Sequence, residues 1–264
     1  MLFKILTLLF ATTTLITLIA NLRLKKKQKL FSEQVDAKEF VANASHELRT
    51  PITVIKGFSE TLRDMPELQG CNLAPSVLKK ITSKIVSHCD RMESLIGRLL
   101  LLSKLDSKKM HESKPFQLLL PLDSALQQLK TRYPEAQITI ENLDKPIITM
   151  GDSSLIELAL FNILHNSVKY SKTPAKIEIQ ISGNKLSVKD QGVGIEKEEL
   201  DHIFDRFYKT SQKTKESSFG LGLSIVKKIF DQHGTSIKVF SKPGMGTTVE
   251  MQFKALADQE LPVT

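Results

Sequence analysis

The apolar positions of this 264-residue chain fall into three successive patterns. Residues 5–22 form an uncharged run rich in Leu, Ile and Thr. Apolar residues then recur every three or four positions over about residues 28–65 and again over 76–106, which predicts two helices. From residue 116 onward, helical and strand-like segments succeed one another. This succession predicts an α+β fold whose last domain is an α/β sandwich with a mixed sheet and helices on one face.

The apolar run at the front predicts a membrane-spanning helix. Its 18 residues would rise about 27 Å, close to the thickness of a bilayer core. A basic block, residues 23–29, follows at once, and positive flanks stay on the cytoplasmic side. A cleaved signal peptide is the alternative, but its positive charge would precede the run. We therefore expect residues 1–29 to be a single-pass anchor in the inner (cytoplasmic) membrane, with the other domains cytoplasmic and no extracellular sensor domain.

The two helical segments predict an antiparallel hairpin over residues 30–106, because Pro66, Gly70 and Pro75 mark a turn between them. The second helix carries a heptad seam made of Ile81, Ile85, His88, Met92, Leu95, Leu99 and Leu102. Two helices alone cannot bury such a seam fully, so we expect a homodimer in which two hairpins form a four-helix bundle. The alternative is a single hairpin that packs on the next domain.

The last domain, residues 116–255, alternates between helix and strand signals. The predicted helices cover residues 121–130, 153–170 and 221–233, and a further helix is expected before residue 203. The predicted strands cover residues 138–140, 147–150, 177–181, 186–189, 237–240 and 247–253. Residues 107–115 are polar and lysine-rich, which predicts a flexible linker, and residues 256–264 form a tail.

The net charge of +8 comes mostly from the front of the chain. Residues 1–30 hold six basic residues and no acid, and the rest of the chain, with 31 basic and 29 acidic residues, carries only +2. This localised charge argues against nucleic acid as a partner, because nucleic-acid binding needs a basic surface across a domain. The two cysteines, Cys71 and Cys89, match no metal or redox spacing and indicate a reducing compartment.

His46 stands on the first predicted helix, five residues before Pro51. A lone histidine on a helix is most often a surface residue. Glu47 beside it could hold one ring nitrogen and leave the other nucleophilic. A metalloprotease motif is excluded, because Thr50 occupies the position where the second histidine would stand.

Three polar residues share one side of the helix predicted over residues 153–170. Asn162 and Asn166 are four positions apart, and Lys169 follows three later. Two amide oxygens and a cation suit a magnesium triphosphate, since Mg²⁺ takes oxygen ligands and keeps substrate phosphates in its shell. A solvated polar helix face is the alternative.

Glycines follow an acid and also begin the last predicted helix. Asp190 ends a strand and precedes Gly192 and Gly194, so it could accept from an adenine amino group while the glycines let backbone approach the ligand. Gly220 and Gly222 stand where free helix amides favour phosphate. The polar residues 210–218 before them predict a mobile lid. An ordinary turn remains the alternative for the first glycine pair.

The stretch ASHELRTP at residues 44–51 resembles the phosphoacceptor box of sensor histidine kinases. The stretches at residues 162–170, 186–195, 203–209, 219–226 and 242–249 resemble, in order, the asparagine, first glycine, phenylalanine, second glycine and glycine-threonine boxes of an ATP domain. These kinases share that domain with gyrase, heat-shock chaperone and mismatch-repair ATPases. The resemblance covers about residues 30–255. It implies that His46 accepts phosphate, that Glu47 orients it or acts as general base, and that Thr50 positions water for dephosphorylating a response regulator.

The same resemblance implies an ATP and Mg²⁺ site. Asn166 would hold Mg²⁺ with Asn162 beside it, Lys169 would touch phosphate, and Tyr170 would lie near the base. Asp190 would bind the adenine amino group, supported by Thr248. The other implied ATP-binding residues are Gly192, Gly194, Ile195, Phe207, Lys209, Gly220, Leu221, Gly222 and Leu223. Gln191 departs from the family, which commonly has Asn there.

The resemblance therefore implies autophosphorylation of His46 by ATP, followed by transfer to an aspartate of a response regulator receiver domain. Two other functions stay open at this point. An ATPase of the same fold would use ATP only for conformational change, and a membrane scaffold with degenerate ATP binding would bind nucleotide without phosphorylating His46.

Overall fold

The computed structural model of the chain describes residues 37–64, 75–107, 113–142, 147–211 and 218–254. The predicted membrane anchor, the turn at Pro66 and Gly70, and the tail lie outside these ranges. Among the described helices, none combines the length and apolar character that crossing a bilayer requires. The chain divides into two compact units, with the boundary between Cys89 and Asp90.

The first unit contains the predicted helices of the hairpin. Helix α1 covers residues 37–64 and is continuous through Pro51, whose side chain is buried. Helix α2, Pro75–Asp106, begins in this unit and ends in the second. Hydroxyl groups on α1 bond back to the preceding turn, as Ser45 Oγ does to the Val41 carbonyl at 2.8 Å, so they are satisfied within the helix. The two predicted helices are confirmed.

The second unit begins with the last half of α2, whose inner face is apolar. Leu95, Leu102 and Leu105 are almost completely buried. The last turn is also held by charge, because Asp106 Oδ2 accepts from Arg206 Nη2 at 2.7 Å and Asp106 Oδ1 from Lys228 Nζ at 2.9 Å. Residues 90–106 therefore pack as part of the carboxy-terminal domain.

A mixed sheet of five strands forms the frame of that domain, in the order β2-β4-β5-β7-β6. Its strands are β2 Gln137–Asn142, β4 Lys176–Ser182, β5 Lys185–Asp190, β6 Ser236–Ser241 and β7 Thr247–Gln252. Only β2 and β4 are parallel, and the other neighbours are antiparallel. A separate pair joins β1 Lys114–Gln117 to β3 Ile148–Gly151.

One face of the sheet is covered and the other faces solvent. Ile177, Ile179 and Ile181 alternate inward on β4 and are buried, whereas Glu178 lies between them and pairs with Lys189 at 2.8 Å on the open face. The helices of the domain are α3 Leu119–Arg132, α4 Ser153–Lys169 and α5 Gly222–Gln232. The predicted mixed sheet and the helices predicted over residues 121–130, 153–170 and 221–233 are thus confirmed.

Two local predictions were wrong. The predicted linker contains the start of a strand, since β1 begins at Lys114 and pairs with β3. Residues 197–207 form consecutive turns rather than a helix. Their amides bond to carbonyls three residues back, as in His202 N to Glu199 O at 2.9 Å, so no α-helical ladder develops.

The start of α4 is fixed by a cap and by a histidine. Asp152 accepts from the amides of Ser154 and Leu155, which satisfies the first turn. The Asp152 amide in turn donates to His233 Nε2 at 3.0 Å, and His233 Nδ1 donates to the Ile229 carbonyl at 2.7 Å. The imidazole therefore bridges the start of α4 and the end of α5, with Nε2 as the acceptor and Nδ1 as the donor.

Gly151→Ala should destabilise the domain by about 2–4 kcal/mol. Gly151 has φ +150°, and an added Cβ would lie 2.1 Å from His233 Cδ2, so the bridging ring would have to move. Urea unfolding followed by circular dichroism measures the change. Gly183→Ala is the control, because Gly183 also has positive φ but nothing lies within 4 Å. Equal losses in the two variants would contradict this packing argument.

Candidate active site

Helix α4 brings several of the predicted residues to one side of the domain. Asn162 is 6 % exposed, and its Nδ2 donates to the Leu158 carbonyl at 2.8 Å, which leaves Oδ1 as an acceptor toward the cavity. Asn166 lies one turn further along and lines the same cavity. Lys169 ends the helix, with its Nζ 4.9 Å from the centre of the Tyr170 ring. The helix thus presents amide oxygens and a cation together.

The carboxylate of Asp190 is buried at the end of β5, only 6 % exposed. Its Oδ1 accepts from the amides of Gly192 at 2.9 Å and Thr247 at 3.0 Å. Burial raises the pKa of Asp190, and the two backbone bonds and a bond from Ser167 offset this rise only in part. A carboxylate fixed in this way can recognise a hydrogen-bond donor with defined geometry.

The loop after Asp190 is attached to the end of α4. Val193 N donates to the Tyr170 carbonyl at 3.0 Å, and Ser171 and Gly192 form an isolated bridge. Burial raises the pKa of the Tyr170 hydroxyl, while bonds from Ser218 and Thr210 lower it in part. Tyr170 therefore contacts the first and last residues of the segment predicted as a lid, of which residues 212–217 lie outside the described ranges.

Gly220 allows the segment before α5 to approach the preceding loop. It has φ +71°, and an added Cβ would lie 2.4 Å from the Tyr208 carbonyl oxygen. Phe207, next to Tyr208, also has positive φ, at 64°. The two positive-φ positions lie against each other, so glycine at position 220 is required by a close backbone contact as well as by any ligand.

These elements surround a cavity of about 320 Å³, a size suited to a small ligand. Most of the residues predicted for nucleotide line it: Asn162, Asn166, Lys169, Tyr170, Asp190, Gly194, Ile195, Gly220, Leu221, Gly222 and Leu223. Four predicted residues do not line it, namely Gly192, Phe207, Lys209 and Thr248.

The prediction for Thr248 requires correction. Its neighbour Thr247 lines the cavity, and the backbone amide of Thr247 donates to Asp190, whereas Thr248 pairs with Lys189 within the sheet. Side chains alternate along a strand, so one position decides which threonine faces the site. Gly192 keeps a supporting role, since its amide holds Asp190.

Sequence reasoning missed three arginines that line the cavity: Arg91, Arg98 and Arg132. A signal for Arg98 was available. It stands three residues after Leu95 and four before Leu102, and both leucines are completely buried. Residues at this spacing share one helix face. The heptad spacing therefore predicts that Arg98 lies on the side of α2 that faces the domain.

The oxygen ligands of this site suit a hard cation such as Mg²⁺. Within the described ranges, no three His, Cys, Asp or Glu side chains group closely enough to hold a metal ion. The amide oxygens of Asn162 and Asn166 are hard ligands, and Mg²⁺ typically adds substrate phosphates and water to one or two protein ligands.

The predicted phosphoacceptor residues lie on α1 in the first unit. His46 is exposed, with Glu47 half-buried beside it, and Thr50 is exposed one turn later. The imidazole is therefore accessible to a reaction partner from solvent.

Two family profiles match the chain. Residues 36–108 match the His Kinase A (phospho-acceptor) domain. Residues 151–257 match the histidine kinase-, DNA gyrase B-, and HSP90-like ATPases. The matches cover the hairpin with His46 and most of the domain that contains the cavity.

Curated relatives extend this likeness. The chain is 34 % identical over 219 residues to the sensor histidine kinase YkoH of Bacillus subtilis and 32 % identical over 222 residues to the sensor protein SrrB of Staphylococcus aureus. These alignments cover 81 % and 80 % of this chain, but 47 % and 37 % of the relatives. The chain thus spans less than half the length of both.

Solved structures share the fold. The histidine kinase ThkA, in complex with the response regulator protein TrrA, has a TM-score of 0.63 and 25 % identity, over 81 % of this chain and 60 % of that one. The Acinetobacter baumannii histidine kinase AdeS has a TM-score of 0.61 and 21 % identity, over 80 % of this chain and 98 % of that one. The likeness to AdeS concerns the fold alone.

The raised pKa of Asp190 predicts a pH effect on stability. The folded chain binds this proton more readily than the unfolded chain, so the free energy of unfolding should fall as pH rises from the ordinary aspartate range to the raised pKa. Asp190→Asn should remove this loss, leaving the domain as stable as the unaltered chain or up to about 1 kcal/mol more stable at neutral pH. Urea unfolding at pH 4.5 and 7.5 tests it.

The exposed carboxylate of Asp201 provides the control for that measurement. Asp201→Asn should leave the pH dependence as it is. A loss of stability in Asp190→Asn that grows with pH would contradict the assignment of burial as the dominant cause.

Proposed function

The chain belongs to the sensor histidine kinases of two-component systems, and we propose that it binds ATP in its carboxy-terminal domain and transfers the γ-phosphate to its own His46. The observation that carries the proposal is the cavity in which buried Asp190 and the two asparagines of α4 meet. A carboxylate for the base and amide oxygens for a metal-bound polyphosphate lie in one pocket of suitable volume.

Adenine recognition is assigned to Asp190. Both backbone donors bond to Oδ1, so the carboxylate is fixed and can accept from the exocyclic amino group of the base. Guanine carries a carbonyl oxygen at the corresponding position, which a carboxylate would repel. Tyr170, Ile195 and Leu223 would pack near the base from the cavity wall.

Phosphate binding is assigned to the opposite elements of the cavity. Asn162 and Asn166 would hold Mg²⁺, which neutralises phosphate charge and orients the γ-phosphate when bound. Lys169 would add a cation, and the free amides at the start of α5, near Gly220 and Gly222, favour phosphate oxygens. Phosphoryl transfer would require the imidazole to reach this phosphate end of the cavity.

His46 is the proposed nucleophile because it is the exposed imidazole of the phosphoacceptor match. One ring nitrogen forms a bond to the γ-phosphorus while the bond to the ADP oxygen breaks, and ADP leaves. Glu47 would hold the other ring nitrogen and stabilise the positive charge that develops on the ring. Positioning is the main catalytic requirement of such a transfer.

A response regulator is the proposed partner. The complex of ThkA with its regulator TrrA supports this, since ThkA shares the fold and 25 % identity with this chain. Phosphohistidine would pass its phosphoryl group to an aspartate of the receiver domain. Thr50 is exposed four residues after His46, where it could position a water that hydrolyses the phosphoaspartate of the regulator and releases inorganic phosphate, a separate phosphatase reaction.

The hairpin offers a surface for dimerisation. Val41 and Ile52 on α1 are 62 % and 50 % exposed and are eleven residues apart, about three turns, so they share one face. The heptad seam of α2 contributes less to this dimerisation surface, because Ile81, Leu95 and Leu102 are already buried within one chain. A second hairpin packed on the α1 face would form a four-helix bundle.

Residues 1–29 are proposed to anchor the kinase in the inner membrane. The uncharged run at residues 5–22 and the basic block after it support this assignment from sequence. These residues lie outside the described ranges.

His46→Gln should abolish phosphorylation of the chain while leaving ATP affinity unchanged, because His46 lies on α1 and is not among the residues that line the cavity. The measurement is incubation with γ-labelled ATP and Mg²⁺, with acid-labile, base-stable label on the protein as the signal. His202→Gln, which alters an exposed histidine paired with Asp205, should label normally.

Asp190→Asn supplies the complementary result. It should lose label because ATP is bound weakly, since an Asn amide that turns its oxygen to the two backbone donors points its NH₂ at the adenine amino group. Labelled phosphate on the His46→Gln protein would reject His46 as the phosphorylated residue. Release of free phosphate by the unaltered chain without any protein label would instead support a simple ATPase.

Ile52→Glu should convert the dimer to a monomer, because a carboxylate would be buried in the interface. Size-exclusion chromatography with light scattering should give twice the chain's 29.6 kDa for the unaltered protein in detergent, after subtraction of the detergent, and 29.6 kDa for the variant. Thr61→Glu is the control, because nine residues along a helix place it on the opposite side. A monomeric unaltered chain would contradict the proposed bundle.

A further inference from the structure

The nucleotide cavity contains more positive charge than the predicted residues supply. Arg91, Arg98, Arg132 and Lys169 all line it, and the only carboxylate among the described lining residues is Asp190. Two of these cations, Arg91 and Arg98, come from α2 rather than from the segment that matches the ATPase family. A positively charged wall of this kind suits a polyphosphate.

Arg98 is the member of this group that contacts an asparagine of α4. It is half-buried, and no carboxylate in the described part of the chain pairs with it. Its contact is a long hydrogen bond of 3.4 Å from Nη1 to Asn162 Oδ1. Arg132, a second cation, lines the same cavity. The guanidinium is therefore desolvated beside a like charge, and a bound anion would relieve both effects.

The position of Arg98 indicates which part of a ligand would reach it. A Cβ added to Gly222 would lie 4.0 Å from Arg98 Nη1 and 3.1 Å from Asn162 Oδ1. Arg98 thus lies beside the first residue of α5, where free amides and the helix dipole favour phosphate. Its other neighbour is the amide oxygen assigned to Mg²⁺. Both neighbours belong to the phosphate end of the site rather than to the Asp190 end.

We propose that Arg98 of α2 binds the terminal phosphates of ATP, so that the nucleotide site is completed by the helix that enters from the hairpin. This inference rests on the proposed function, since it assigns a further ligand to the same ATP site. Guanidinium groups bind phosphate through two parallel hydrogen bonds, which the present single contact to Asn162 does not use. Binding of ATP and packing of residues 90–106 on the domain then strengthen each other.

The test is the affinity of the full chain, in detergent with Mg²⁺, for ATP and for AMP, measured by calorimetry. Arg98→Gln should weaken ATP binding by roughly tenfold or more, the range expected for losing a charged hydrogen bond, and should leave AMP binding unchanged. Arg98→Lys should give an intermediate loss because it keeps the charge but not the paired donors. Lys104→Gln is the matched control, since it removes an exposed charge of α2 that does not line the cavity.

Each outcome decides the proposal. A loss restricted to ATP supports it. Unchanged or tighter ATP binding by Arg98→Gln overturns it, and so does an equal loss for ATP and AMP, which would make Arg98 a structural residue. If the unaltered chain binds ATP and labels His46 while Arg98→Gln binds ATP normally, only the role of Arg98 fails. If the unaltered chain binds no ATP, the proposed function fails with it.

Discussion

A buried carboxylate is the constraint on which the site depends. Asp190 is held by the amides of Gly192 and Thr247, which come from the loop after β5 and the start of β7. Antiparallel pairing of β5 with β7 brings these two segments together. The carboxylate is kept where burial disfavours its charged form, so the fold accepts a local loss of stability to present one fixed acceptor.

Helix α4 holds the other polar residues of the site in fixed positions relative to Asp190. The Asp152 cap and the His233 bridge hold its first turn, and the Tyr170 carbonyl holds the glycine loop at its last. Asn162 and Asn166 between them therefore have little freedom relative to Asp190. A phosphoryl transfer that relies on positioning benefits from such a rigid support.

Sequence patterns predicted the regular parts of the fold and the residues whose chemistry is local. The helices and six strands followed from periodicity, and Asn162, Asn166 and Asp190 followed from motifs in their correct order. The strand β1 was missed because four residues carry too little periodicity. The sequence predicted Thr248 where the structure has Thr247 at the cavity. Which face of the sheet a strand residue occupies depends on the register of β7 with β5, and the motif alone does not give that register. Arg98 was missed because its role depends on packing between segments distant in sequence, although its spacing from Leu95 was visible.

The last turn of α2 is fastened to the domain partly by charge at the surface, beside the buried Leu105. Asp106, about 38 % exposed in its side chain, bonds to both Arg206 and Lys228. Exposed ion pairs of this kind contribute at most about 1 kcal/mol each, and dissolved ions screen them. The apolar contacts of Leu95 and Leu102 are not screened in this way. The attachment of this helix end to the domain therefore varies with ionic strength. In concentrated salt the last turn can loosen while Leu95 and Leu102 stay packed.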